Sequence, residues 1–169
     1  YPYHGAYGAD PAPFVTGGIE VLDRALDWAR ACGLRVVVDL HAAPGCQNGF
    51  DNGGIKDACD WHRRDEYVDF SVDLLGRLAA RYRAHPALAA IEVLNEPRWD
   101  VPTALLCDYY ARALAAVRTH CPAGRVSVVF HDGFRPAAEF AGFFAGRAQD
   151  DVLFDVHRYQ CFDRADLDL

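Results

Sequence analysis

The chain has 169 residues, 51% of them hydrophobic and 24% charged, with a formal net charge of −7. That length holds one domain with a real core, and that balance excludes a disordered chain. The acidic balance and the absence of a Lys/Arg cluster speak against nucleic acid as a partner, and the apolar runs are far short of the ~20 residues a transmembrane helix needs.

Residues 1–18 are rich in Tyr, Gly and Pro, follow no period and read as loop. No basic-then-apolar leader opens them, and a cleaved leader would leave no trace. Ile19, Leu22, Leu26 and Ala29 then recur at helical spacing until Gly33, so a helix is predicted over 19–32, with Trp28 packed within it. Residues 35–41 hold the block Val36-Val37-Val38 followed by Asp39, Leu40 and His41, a pattern suited to a strand covered on both faces. A long polar, glycine-rich insertion fills 42–64. Tyr67, Phe70, Leu74, Leu78 and Tyr82 mark a second amphipathic helix that stops near His85-Pro86.

The next strand is predicted over 88–94. Pro102 and Thr103 introduce a third helix whose apolar side carries Leu106, Tyr109, Tyr110, Ala113, Leu114 and Val117. A β-branched strand over 125–130 ends in His131 and Asp132, a short helix is predicted over 135–147, and a fourth strand over 152–156 ends in His157. Helix and strand alternate four times, which predicts crossover units and a parallel α/β sheet. Both an open doubly wound sheet and part of a (β/α)8 TIM barrel fit. Polar residues at the end of every strand favour the barrel, because an open sheet gathers its ligand at one switch point. A whole barrel takes about 250 residues, so four units amount to half of one.

The chemistry sits at the strand ends. Ile91-Glu92-Val93-Leu94-Asn95-Glu96-Pro97 is an apolar strand that stops abruptly in an amide, a carboxylate and a proline. Glu96 is the expected catalytic residue: a carboxylic acid there can protonate a glycosidic leaving oxygen, and partial burial is expected to keep its proton on. Asn95 beside it can bind a sugar hydroxyl. A surface carboxylate after a strand is the plainer alternative. His41, His131 and His157 are expected to bond sugar hydroxyls or to orient a carboxylate; each comes from a different strand and no His-x-His pair occurs, so no metal is expected. Asp39 lies two residues before His41 and faces the same way, as a buried partner. Phe50, Trp61, Trp99, Phe134, Tyr159 and Phe162 are candidate aromatics of a concave mouth, whereas Asn48, Asp51 and Asn52 either bind a terminal sugar or make turns. Neither a dinucleotide fingerprint, a phosphate loop nor a serine elbow is present.

Six cysteines stand at 32, 46, 59, 107, 121 and 161, without the paired spacing of a zinc finger. Cys46 and Cys59 bracket the glycine-rich loop that a disulfide can pin; free buried thiols are the alternative.

Asp39-Leu40-His41-Ala42-Ala43-Pro44-Gly45-Cys46-Gln47-Asn48-Gly49-Phe50-Asp51-Asn52 closely resembles the signature of fungal exo-β-1,3-glucanases in glycoside hydrolase family 5. Leu94-Asn95-Glu96-Pro97 looks like the acid/base motif of that clan, and Phe130-His131-Asp132-Gly133-Phe134 and Asp155-Val156-His157-Arg158-Tyr159-Gln160-Cys161-Phe162 are similar to its later strand ends. The opening segment with Tyr7 is similar to the stretch after the family's second strand. The resemblance covers nearly the whole chain.

It implies a single partial TIM-barrel domain over residues 1–169, with four βα units corresponding to about strands three to six. It also implies cofactor-free retaining hydrolysis that releases glucose from the non-reducing end of β-1,3-glucan. The acid/base role falls to Glu96 and substrate contact to Asn95. Sugar or nucleophile-orienting contacts fall to His41, His157 and Tyr159. Gln47, Asn48 and Asp51 shape the closed end of the pocket; Phe50, Trp99 and Phe134, from the aromatics read above, are the candidate aromatic subsites. The resemblance further implies a secreted, extracellular or cell-wall location with disulfides. The nucleophile of such an enzyme is a Glu on a seventh strand, expected beyond Leu169, because Glu92, Asp132 and Glu139 are poorly placed to serve. The alternatives are a non-catalytic carbohydrate-binding half-barrel or inactive fragment, with a further barrel segment or a second copy over its open edges, and, within the family, an endo-glucanase, a transglucosylase or a glycosylceramide hydrolase.

Overall fold

A computed structural model describes residues 17–147 and 150–159. The expectations placed on Tyr7, Cys161 and Phe162 lie outside those residues. The chain forms α1 (Ile19–Ala31), β1 (Val36–Asp39), α2 (Asp65–Tyr82), β2 (Leu88–Glu92), α3 (Thr103–Arg118), β3 (Ser127–His131), α4 (Ala141–Phe144) and β4 (Val152–Asp155). The strands make one parallel sheet in the order β1-β2-β3-β4. A doubly wound sheet reverses direction at a switch point; this one advances by one neighbour at every crossover, as a partial (β/α)8 barrel does.

Register sorts the side chains into two faces, because successive residues of a strand point to opposite sides. Val38, Ile91, Val128 and Val152 are aligned across the sheet and join the core beneath the helices. Asp39, Glu92, Val129 and Leu153 form the next row on the opposite face, and His131 and Asp155 lie two residues further along it. That face carries exposed Val37 and Leu153 lower down and the polar groups at its carboxyl end. The helix side is sealed by Leu75, Leu106, Tyr109, Tyr110 and Phe130, all fully buried. Tyr109 and Tyr110 each turn a hydroxyl onto a strand-end carbonyl, that of Val93 and of His131, both at 2.6 Å.

The segment expected as one helix over 135–147 is shorter. It splits into a 3-10 turn (Ala137–Phe140) and the single turn of α4, with Phe140 leaving helical geometry between them and Gly142 a poor helix former. Trp28 does not pack inward: it is 60% exposed, with Arg24 over its ring. Trp61, expected at the mouth, is fully buried in the core.

Arg118 is the tie between α3 and the strands that follow. Its guanidinium donates to the carbonyls of Cys121, Val126, Asp150 and Asp151 at 2.6–3.2 Å. Removing a charged donor leaves part-buried carbonyls without partners, so Arg118→Met is expected to lower unfolding free energy by about 2–3 kcal/mol, read from urea denaturation.

Candidate active site

Three strand ends and one loop converge on Glu96. The backbone leaves β2 through Val93, which donates to Val129 O, and Asn95, which donates to Leu40 O, so the chain stays clamped between β1 and β3 as it rises to the mouth. Glu96 then adopts φ 44°, a left-handed conformation that a side chain rarely takes, immediately before Pro97. Such strain costs of order 1–3 kcal/mol and persists where surrounding bonds over-determine it. Here they do. Gln47, fully buried, donates to the carbonyls of Asn95 and His41 at 2.9 Å and accepts from Ala43 N at 3.0 Å, locking the loop after β1 to the loop after β2.

The Glu96 carboxylate is 3% exposed and accepts from three side chains: Asn52 Nδ2 at 2.9 Å on Oε2, and His157 Nδ1 at 2.8 Å and the Tyr159 hydroxyl on Oε1. Burial pushes its pKa up, as expected from the strand context, yet those hydrogen bonds outweigh burial and hold the carboxyl below its ordinary value. His157 shows the reverse balance. Burial opposes its charge, but Glu96 and Asp155 outweigh burial and raise its pKa. Its second nitrogen, Nε2, lies 3.0 Å from Asp155 Oδ2. Imidazolium can donate from both nitrogens at once, so His157 stands between two carboxylates as a bridging cation.

His131 is fully buried beside it, ring centroids 4.3 Å apart and nearly perpendicular. Burial and the neighbouring His157 cation keep His131 neutral-leaning, with its pKa lowered. Its Nδ1 accepts from Gly133 N at 2.9 Å, which leaves the proton on Nε2, a buried donor without a partner among the described residues. Below these groups Asp39 and Glu92 sit side by side. Burial raises the pKa of Asp39 against the pull of His41, 2.7 Å away. Burial, reinforced by the charges of Asp39 and Asp155, raises Glu92 to about 8.

A carboxyl whose folded pKa lies above its unfolded 4.5 binds its proton more tightly in the folded chain. Its stabilising contribution is complete below the unfolded value and is lost as pH rises toward about 8. Glu92→Gln carries the neutral shape permanently, so its urea midpoint is expected to fall less than that of the native chain between mildly acidic and mildly alkaline pH.

Two groups bring potential metal ligands within 4.8 Å: Glu96 with His131 and His157, and Glu92 with Asp155 and His157. The donor sets do not fit a cation. Both nitrogens of His157 are committed to carboxylates, and the Gly133 N–H on His131 Nδ1 puts a proton on the nitrogen that would have to ligate.

His41 is exposed at the rim, paired to Asp39. Asn95 is buried, and its side-chain nitrogen has no partner among the described residues. Asn48, also buried, accepts from Phe50 N at 2.8 Å and donates to Asn52 Oδ1 at 3.0 Å, shaping the loop; Asp51 points to solvent with Lys56 3.7 Å away. Phe50 lies 6.3 Å from Trp99 and 6.5 Å from Phe134, and Phe134 lies 6.4 Å from Tyr159, so these rings form an aromatic wall beside Glu96. Among the described residues, Asn52, Asp155 and the buried Gln47 are the site-building side chains that motif reading underweighted. Asn52 sits in a 3-10 turn (Asp51–Gly53) packed so closely that a Cβ on Gly53 would meet Cys46 Sγ at 2.2 Å.

The expected disulfide is not formed. Cys32, Cys46, Cys59, Cys107 and Cys121 are free thiols. Cys46 accepts from Gly49 N and faces Asn48, while Cys59 is turned to the Gln47 carbonyl at 3.3 Å, so the loop is held by hydrogen bonds instead.

A family model described as cellulase (glycosyl hydrolase family 5) matches residues 10–166. The chain is 41% identical over 158 residues to a probable glucan 1,3-beta-glucosidase A of Aspergillus niger, covering 91% of this chain and 36% of that protein. It is 45% identical over 154 residues to the same-named protein of Neosartorya fischeri, covering 89% and 36%. The chain thus spans little more than a third of the length of these curated relatives. Its fold is similar to the crystal structure of a rutinosidase from Aspergillus niger, with TM-score 0.78 and 17% identity over 92% of this chain and 48% of that one. It is also similar to that of AoRut, at TM-score 0.74 and 20% identity, over 85% and 44%.

Proposed function

The chain belongs to glycosyl hydrolase family 5, and from that premise we propose that residues 1–169 are one partial-barrel catalytic domain of a retaining β-1,3-glucan exo-glucosidase. The relatives named as glucan 1,3-beta-glucosidases support the substrate class. The observation that carries the chemistry is the buried Glu96 carboxylate gripped by Asn52, His157 and Tyr159 at the carboxyl end of a barrel strand. Glu96 acts as general acid toward the leaving oxygen and then as general base toward water. The nucleophile is a Glu outside this sequence, about 5–5.5 Å from Glu96 as retention requires.

The lowered pKa of Glu96 fits this reading only with that second carboxylate present. A like charge at that distance pushes Glu96 back toward the protonated form an acid needs, against the three donors that hold it ionised. Asn95, with its free amide nitrogen, and His41 at the rim bind sugar hydroxyls; Asn48 and Asp51 build the loop that closes the pocket. Phe50, Trp99 and Phe134 present ring faces to the sugar. No cofactor enters the reaction. The resemblance carries an extracellular or cell-wall location. No helix of the described residues is long and apolar enough to cross a membrane.

Proton NMR of the complete protein with a laminari-oligosaccharide tests the proposal. Release of β-glucose first, one unit at a time, is expected. First appearance of α-glucose would overturn retention, and internal cleavage would overturn exo action.

A further inference from the structure

Glu96 poses a problem that its neighbours answer. Three donors hold it as a carboxylate, yet its proposed role begins with a proton. The most acidic of those donors is the His157 imidazolium, whose Nδ1 lies 2.8 Å from Glu96 Oε1. We propose that His157 stores the proton that Glu96 uses as an acid, and that Asp155 is the positioning residue that fixes the imidazole for the transfer.

The geometry is a carboxylate–imidazole–carboxylate chain: Asp155 Oδ2 to His157 Nε2 at 3.0 Å, then His157 Nδ1 to Glu96 Oε1 at 2.8 Å. Asp155 ends β4 and His157 stands two residues further along the chain, past the strand end, with its Nε2 turned back to Asp155. In the transfer the His157 Nδ1–H bond breaks and an O–H bond forms on Glu96. The positive charge of the imidazolium and the negative charge of the carboxylate vanish together, and no further reactant is needed. Neutral His157 keeps its Nε2–H on Asp155 and offers the Nδ1 lone pair to the new Glu96 hydroxyl. Asp155 thereby selects the tautomer, as an orienting carboxylate does for a catalytic histidine.

The competition between the two carboxylates favours that tautomer. Glu96 retains Tyr159 and Asn52 as donors when His157 turns neutral. The carboxylate of Asp155 accepts its side-chain bond from His157 alone among the described residues. The other titratable groups around the imidazole are Asp39 from β1, Glu92 from β2, His131 from β3 and Tyr159. Glu92 is held neutral in acid and neutral solution and His131 is disfavoured as a cation, which among the described residues leaves Glu96, Asp155 and the more distant Asp39 as the charges that His157 senses.

The inference rests on the acid/base reading of Glu96 for its catalytic meaning, but the proton positions belong to the folded chain and are read without substrate. Long-range 1H–15N spectra of histidine-labelled protein, followed from about pH 5 to about pH 9, report protonation and tautomer of each ring nitrogen. The expected result is a neutral His157 protonated at Nε2 and bare at Nδ1, and a roughly tenfold weaker proton affinity in Asp155→Asn, where the charge is lost but an acceptor remains. A native His157 protonated at Nδ1 when neutral would overturn the relay. So would an Asp155→Asn protein with a native amide spectrum and an unmoved titration. The tautomer is read in the native protein, so the test survives a variant that fails to fold. Glycosidase assays on the same samples bear on the enzyme reading separately, because tautomer and titration report the relay with or without turnover.

Discussion

Glu96→Gln in the complete protein is expected to lower kcat on an unactivated β-1,3-linked glucoside by about 10²–10⁴-fold, the usual contribution of a positioned acid/base. The amide matches the carboxyl in shape but can neither give a proton to the leaving oxygen nor take one from water. It also cannot accept from Asn52, His157 and Tyr159 together, since one of its two terminal atoms is now a donor. The loss has a signature beyond its size. An aryl glucoside with a good leaving group needs no acid for the first step, so its damage is confined to the second. The glycosyl-enzyme then accumulates as a burst of released phenol. A small anionic nucleophile such as azide, which needs no general base, is expected to restore turnover. Equal losses on both substrates with no burst would assign Glu96 a binding role and remove it from the reaction.

The position of Glu96 was legible because a parallel strand writes its end plainly: four apolar-rich residues, then an amide, a carboxylate and a proline. The same grammar exposed His41, His131 and His157, and the alternation of elements gave the parallel sheet. What stayed illegible was set by loop geometry. Asn48, Asp51 and Asn52 lie within five residues and have similar side chains, yet Asn48 braces the backbone, Asp51 meets solvent and Asn52 reaches Glu96. A 3-10 turn and the close packing of Gly53 against Cys46 and Asn48 decide which does which, and neither leaves a periodic signal. The cysteines failed for a related reason. An even count and a bracketed loop say nothing about where each Sγ points, and here Cys46 and Cys59 are turned to separate backbone partners. The charge state of Glu96 was missed because burial and hydrogen bonding act in opposite directions, and only the three donors, two of them more than 60 residues away in sequence, decide the sign.

Trp61→Ala is expected to cost about 3–5 kcal/mol of folding stability, a fifth or more of the roughly 5–15 kcal/mol a domain commonly has. The indole is fully buried, lies edge-on to Tyr109 at 4.8 Å between centroids, and donates to Ser71 Oγ at 3.1 Å. Its backbone N–H meets the Cys46 carbonyl at 3.3 Å, and the preceding Asp60 N–H meets Gly45 O at 2.8 Å. The ring therefore pins the far end of the 42–64 insertion onto α2 and α3. Gly45 lies so close to Tyr67 that the loop has no second way to settle there: a Cβ would come within 2.5 Å of the Tyr67 ring. Alanine leaves a cavity that the surrounding core closes only in part, and Ser71 Oγ loses its indole donor. Urea unfolding should show a lower midpoint at an unchanged slope. Trp61→Phe, which keeps ring packing and loses the bond to Ser71, should recover more than half of the loss. Because the same insertion carries Asn52, the alanine variant should also loosen the bond from Asn52 to Glu96 and raise the carboxyl's proton affinity. A Trp61→Ala protein within about 1 kcal/mol of the native stability would mean that the insertion is held by its hydrogen bonds alone, and that the indole only fills space they enclose.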